Sequence, residues 1–287
     1  MSFIPEEISF IVSSDTSQGA VNRSPNGDYF EIQLDDGLKI PKDAVNVNVK
    51  VEESTIWWVV PNIIEGVNDT MYIYGNDDTL PVAVPQLFTV VIPQGLYDLS
   101  GLNQAILNGL ENGGAQTIDA GGDSLPLITL TADDATQKVI LRLNYPNVYV
   151  DFNQTNTPRD ILGFNALPQI GPEAGAPINI LATNNAAFNS VNYFLIHSDL
   201  VNRGVRYNNQ YNQTIAQVLI DVAPGSQIVS TPFHPAKASG QALAGTVRTN
   251  LRFWLTDDQQ RSVNTNGENW TARIVIDFLR PYTIGQK

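Results

Sequence analysis

No cysteine occurs in the sequence, which excludes disulfides, thiolate nucleophiles and Cys-ligated zinc. Basic residues are scarce, 16 Lys and Arg against 29 Asp and Glu, giving a formal net charge of −13. A surface that neutralises phosphates needs clustered Lys and Arg. Arg142, Arg252 and Arg273 instead sit singly inside strand-like runs, so direct nucleic-acid binding is not expected. Long apolar runs are also missing: the strongest, Ile56-Trp57-Trp58-Val59-Val60, is far too short to cross a bilayer. The first seven residues lack the basic and apolar regions of a secretory signal, and a soluble, unexported chain is expected. No period in the twenties to forties repeats, which argues against a propeller or solenoid. The Gly-rich tract Ala120-Gly121-Gly122 lacks the Lys-Ser/Thr ending of a phosphate loop.

What the chain does have is apolar alternation. Hydrophobic residues make up 43% of it, enough to bury real cores and to exclude wholesale disorder. Residues 45–52 alternate most cleanly, Val45, Val47, Val49 and Val51 against Asn46, Asn48, Lys50 and Glu52, as expected of a sheet with one buried face. Residues 8–13 read as a short strand or an ordered arm, and shorter strands are expected at 29–34, 55–60, 70–74, 87–92, 128–131, 139–143 and 148–152. Further runs follow at 178–182, 193–197, 214–222, 227–230, 246–255 and 270–278. Asp35-Asp36-Gly37 is expected to end its strand, and 133–136 to turn a hairpin.

One segment has helical spacing. Leu99, Leu102, Ile106 and Leu110 make a single apolar stripe, with Asp98 as N-cap. Gly101 and Gly109 weaken that helix, so it must be held by packing on a sheet, with Leu102 and Ile106 buried. Ile161-Leu162-Gly163-Phe164 reads as a compact closing motif, and the Pro- and Gly-rich stretch 165–177 as the domain boundary. The expected fold is therefore all-β: two eight-stranded antiparallel jelly rolls in tandem. The first covers 1–168, with a helix at about 99–111 inserted; the second, with the C-terminal tail, covers 169–287.

Chemistry is sparse. His197 is followed by Ser198 and Asp199, but neighbours along a strand point to opposite faces and cannot form a triad. His234 lies between prolines in a loop. The pairs Asp35-Asp36, Asp77-Asp78, Asp133-Asp134 and Asp257-Asp258 fall at strand ends and read as turn aspartates, and Asp119–Asp123, in a loop, is not a calcium repeat of the β-helix type. A calcium site at one of them is the weaker alternative, since none has EF-hand spacing. Trp57-Trp58 and Trp254 are read as core or subunit contacts, with a sugar-binding platform as the alternative. Asn153-Gln154-Thr155 and Asn212-Gln213-Thr214 match glycosylation triplets, which carry no weight without export. No catalytic, cofactor-binding or metal-ligating residue is singled out, no cofactor is expected, and an enzyme is the weakest reading.

Several elements together resemble a known family. They are Tyr97-Asp98-Leu99-Ser100-Gly101-Leu102-Asn103 after a Pro-terminated strand, and Ile128-Thr129-Leu130 paired with Lys138-Val139-Ile140-Leu141. To these are added Ile161-Leu162-Gly163-Phe164 and the closing runs 250–257 and 270–278. In order and kind they resemble the double jelly-roll major capsid proteins of tailless icosahedral viruses and bacteriophages, many of which enclose a membrane. The resemblance implies a structural virion protein, made in the host cytoplasm, whose homotrimers with a pseudo-hexagonal outline tile a shell. Its implied partners are neighbouring capsomers, vertex proteins and an internal membrane where one is present. Loops at 60–68, 76–85, 203–213 and 232–245 would form towers or subunit contacts. Two alternatives stay open: a vertex (penton) or spike protein built from one jelly roll plus an insertion, and a carbohydrate-binding β-sandwich.

Overall fold

The computed structural model describes residues 2–75, 86–115, 117–118, 124–170, 177–189, 191–207 and 210–282. The chain is all-β with antiparallel sheets and, among the described residues, one helix longer than a single turn. It divides into two units, and the division is not tandem. One unit is Met1–Val60 together with Val191–Lys287; the other is Pro61–Ser190, inserted between them. The boundary expected near residue 168 lies inside the inserted unit, as does the helix assigned to the first roll.

The discontinuous unit opens with β1 (Ser2–Ser13), β2 (Tyr29–Lys39) and β3 (Val45–Trp57). The inserted unit follows with β4 (Thr70–Gly75), β5 (Gln86–Val91), helix α1 (Leu99–Asn112), β6 (Ile128–Asp133), β7 (Lys138–Leu143) and β8 (Tyr149–Asp151). A one-turn helix α2 (Arg159–Leu162), β9 (Pro168–Ile170) and β10 (Ile178–Leu181) complete it. The chain then returns to the first unit with β11 (Tyr193–Ser198), β12 (Thr214–Leu219), β13 (Gln227–Ser230), β14 (Val247–Thr256) and β15 (Thr271–Tyr282).

Counted along the discontinuous unit alone, these are eight principal strands. One sheet runs β1-β15-β3-β13, that is first, eighth, third, sixth. The other runs β2-β14-β11-β12, that is second, seventh, fourth, fifth. First pairs with eighth, second with seventh, third with sixth and fourth with fifth, the signature of one long hairpin rolled into two sheets. This is a complete jelly roll. The two expected strands at 45–52 and 55–60 are one, β3, and the alternation of Val47, Val49 and Val51 is buried as read, while Val45 at the strand's start is exposed. Asp35-Asp36-Gly37 does not end β2. Gly37 takes a positive φ of 63° and the pairing shifts between Arg248 and Asn250, so the strand bulges and continues. Between the sheets Phe30 stacks on Phe253 at 5.6 Å, and Trp270 meets Phe30 edge-on at 5.0 Å. Trp58 meets Phe194 at 6.0 Å. Each such ring contributes about 1.5–3 kcal/mol by leaving water.

The inserted unit has another order. Its four-stranded sheet is β9-β8-β4-β5 and its three-stranded sheet β10-β7-β6, each built largely from chain neighbours. The hairpin β6–β7 is as expected, with Asp133 accepting from Ala135 N and Thr136 Oγ1 in the turn. Helix α1 packs on β5 and β6 with Leu102, Ile106 and Leu110 buried, and Asp98 Oδ1 accepts from Gly101 N at 2.6 Å. Ile161-Leu162-Gly163 is the end of α2, closed by Gly163 at φ 80°, and Phe164 stacks on Phe152. That motif closes part of the inserted unit's core, and the unit continues past it to Ser190. The unit's two ends are tied by Asn62, whose Nδ2 donates to Tyr97 O and to Phe188 O at 2.7 and 3.1 Å.

Candidate functional site on the outer face of the second sheet

The register of β2, β14, β11 and β12 decides which side chains share the face turned away from the core. Because Phe30, Phe253 and Leu255 point inward, their neighbours Tyr29, Trp254 and Thr256 point outward. One cross-strand row therefore reads Thr214, His197, Trp254, Tyr29. The next row brings Arg252 opposite Glu31. Asp199, just past the end of β11, joins it by accepting from Arg252 N at 3.0 Å.

His197 is fully engaged in this row. It is buried and stacks on Trp254 with ring centroids 5.3 Å apart and planes within 6°. Thr214 Oγ1 donates to Asn212 Oδ1 at 2.5 Å, which leaves it to accept from His197 Nδ1 at 3.2 Å. Nε2 then accepts from the Thr256 hydroxyl at 2.8 Å. Burial pushes the imidazole pKa down to about 4, so the ring is neutral at pH 7. Ser198 points to the opposite face and Asp199 bonds Arg252, so the run His197-Ser198-Asp199 makes no triad.

Glu31 organises the second row. It accepts from Asn250 Nδ2 at 2.7 Å, from the Tyr29 hydroxyl and from Asn22 Nδ2 at 3.2 Å, with Arg252 Nε at 3.6 Å. These hydrogen bonds, led by Asn250, hold its carboxyl below the usual range. Desolvation, then the bond to Glu31, pushes the Tyr29 phenol up to about 12. Beside this cluster lies a groove in two adjoining parts that share Asp199 and Arg252 as lining residues. One part, about 430 Å³, is lined by Asp28, Tyr29, Asp199, Gln213, Arg252 and Trp254. The other, about 310 Å³, adds Val247, Arg248, Thr249 and Asn250 and shares Asp199 and Arg252.

The other residues singled out in the sequence lie elsewhere. Trp58 is buried against Phe194, which removes it as a sugar platform, while Trp57 is half-buried on β3. His234 is exposed on its loop and meets the Phe233 ring edge-on at 4.6 Å. Asp257 takes Gln259 N, Arg261 N and Arg261 Nε as a turn aspartate does, and Asp258 accepts from Asn192 Nδ2 at 2.6 Å. Asp77-Asp78, residues 119–123 and the 76–85 loop lie outside the described residues. Among the described residues no three His, Asp or Glu side chains gather as metal ligands would. Glu31 and Tyr29 carry no motif in the sequence, and Asp199 stands out there only as part of the run after His197. The signal that could have found them is the outward parity of β2 and β14 opposite Phe30 and Phe253.

Fold and site together define a jelly-roll unit interrupted by a second β unit, with a polar-aromatic groove on one sheet. No family model matches the chain, and no curated protein matches its sequence. Among solved structures it is similar to the mavirus penton protein, at 10% identity and a TM-score of 0.47, over 97% of this chain and 100% of that one. It is also similar to a chain in the cryo-EM structure of the Sputnik virophage, at 14% identity and a TM-score of 0.40, over 95% and 98%. Both likenesses are too distant to assign a function.

Proposed function

We propose that the chain is a structural virion protein, and that it is the vertex (penton) component in place of the shell-tiling trimer. One observation carries the choice: the structure holds one complete eight-strand jelly roll, assembled from both ends of the chain, with a β unit of different strand order inserted between its third and fourth strands. A shell-tiling double jelly roll needs two such rolls in succession. A vertex protein needs one, plus whatever is inserted. Jelly rolls serve both capsids and lectins, so the strand order sets the architecture and the resemblance of the sequence supplies the viral context.

The surface of the jelly roll suits assembly. Strand β1 is twelve residues long and among the described residues pairs only with β15, which makes it an edge strand of its sheet. Its outward residues include Phe3 and Ile11, the latter 74% exposed, and Phe233 stands 91% exposed between Pro232 and Pro235. Native mass spectrometry with negative-stain imaging of the purified chain tests the reading. Pentamers with five-fold outlines are expected. Trimers with six-sided outlines would return the chain to the major capsid class, and a strict monomer at all concentrations would remove both.

A further inference from the structure

The groove on the outer face of the β2-β14-β11-β12 sheet is lined by polar side chains with hydrogen-bonding groups that no bond among the described residues uses, beside two aromatic rings. We propose that it binds a neutral saccharide, with a pyranose ring against Trp254 and Tyr29 and its hydroxyls on Asp199, Gln213 and Arg252. This goes beyond the assembly reading and does not depend on it.

The hydrogen-bond ledger of the lining residues separates ligand classes. Asp28 is already occupied, accepting from Ser24 Oγ at 2.6 Å and Ser262 Oγ at 2.5 Å. Glu31 is engaged at both oxygens, by Asn250 and Asn22 at Oε2 and by Tyr29 at Oε1. Among the described residues Asp199 uses only Oδ1, toward Arg252 N, and Gln213 uses only its Nε2, toward Val201 O. Arg252 approaches Glu31 through Nε, while its terminal nitrogens carry no hydrogen bond among the described residues. What remains is two acceptors, Asp199 Oδ2 and Gln213 Oε1, and a forked donor, all beside two aromatic rings.

Vicinal hydroxyls donate and accept at once and can satisfy this set. An apolar peptide side chain would cover the acceptors and leave them unpaired, which costs binding. A phosphate would meet Arg252 but also the carboxylates of Asp28, Glu31 and Asp199. The C–H face of a pyranose needs flat apolar surface; one face of the Trp254 indole is taken by His197, and the groove is lined by Trp254 together with its cross-strand neighbour Tyr29. Both rings are fixed before a ligand arrives: Trp254 by its stack on His197, Tyr29 by its hydroxyl on Glu31. That lowers the ordering cost of binding.

The test uses the full chain in its native assembly state, titrated with a panel of methyl pyranosides and neutral oligosaccharides. Saturation-transfer NMR and tryptophan fluorescence give the readout. At least one sugar is expected to bind, with Trp254→Ala weakening it about tenfold or more. Since that change could loosen the sheet, Asp199→Asn and Arg252→Gln serve as gentler variants, each expected to weaken binding several-fold while the thermal midpoint holds. Trp57→Ala, on the other sheet, should leave binding unchanged. No binding across the panel, or binding that survives Trp254→Ala and Arg252→Gln in folded protein, would overturn the proposal. So would a change in oligomeric mass in the gentler variants without a bound sugar, because the groove would then seat a neighbouring subunit. Native mass spectrometry of the same samples reads assembly separately, so failure of sugar binding and failure of the vertex reading are told apart.

Discussion

His197 shows how one residue can look functional in a sequence and serve packing in the fold. Its neighbours Ser198 and Asp199 suggest chemistry, but the strand sends the three side chains to different places. A neutral ring between two threonines and an indole has a thermodynamic consequence. Its folded pKa is pushed down to about 4 from the ordinary 6.5, so below pH 6.5 the unfolded chain takes up the proton first. This contribution to stability is full above pH 6.5 and is lost as pH falls toward 4, up to about 3 kcal/mol. Chemical denaturation at pH 7.0, 5.5 and 4.5 should show the decline, and His197→Gln should flatten it over that window. Glu31, whose folded pKa is lowered, adds a separate loss below its ordinary 4.5, which Glu31→Gln would remove. A decline from pH 6.5 to 5 that persists unchanged in His197→Gln would contradict this account. The Trp57-Trp58 pair makes the same point about legibility. Alternation predicts that one ring faces inward and the other outward, and the structure buries Trp58 and leaves Trp57 half-covered. The sequence could not say which sheet Trp254 would share with Tyr29.

At the scale of elements, α1 was the most legible feature of the chain, because capping and the 3–4 spacing of apolar residues are local signals. Its glycines were read as weaknesses, and the structure explains them. A Cβ on Gly109 would sit 2.3 Å from Val90 Cγ1, a buried β-branched side chain on β5 with no room to turn aside. Gly109→Ala should therefore destabilise the protein by about 1–3 kcal/mol through overpacking, although alanine favours an isolated helix by about 1 kcal/mol. A thermal midpoint unchanged or raised in Gly109→Ala would show that α1 stands off β5. At the other end Asp98→Ala removes an exposed cap and should cost about 1 kcal/mol, read by the same melt. Strands were legible wherever one face is buried and the other solvated. They were less so at β2, where Gly37 lets the chain bulge and resume after an apparent stop signal. Two runs that merged into β3 show the converse: Glu53, at a register shift in the pairing with β15, interrupts the alternation without ending the strand.

Across the whole molecule the sequence conveyed the all-β class and most strands, but not which strands belong together. A Pro- and Gly-rich stretch at 165–177 looks like a linker, and local composition carries no record that β15 pairs with β1 at the other end of the chain. The pairing of Ile8 with Ile276 spans almost the full length and is set only by which apolar faces meet. The points of insertion are nonetheless built to be close. Asn62 reaches Phe188 O at 3.1 Å within the inserted unit, and Trp58 meets Phe194 at 6.0 Å within the jelly roll. Each unit also has its own buried core, with Leu102, Ile106, Phe152 and Leu162 in one and Phe30, Phe253 and Trp270 in the other. Replacing Pro61–Ser190 by a short Gly-Ser linker should consequently leave a folded jelly roll of both chain ends. Its tryptophan near-UV signal should persist, since Trp57, Trp58, Trp254 and Trp270 all belong to that unit. The excised segment, expressed alone, should melt cooperatively as well. If the bridged roll instead shows collapsed near-UV signal and no cooperative melt, the insert supplies part of the jelly roll's core, and the eight strands would not be a self-sufficient unit.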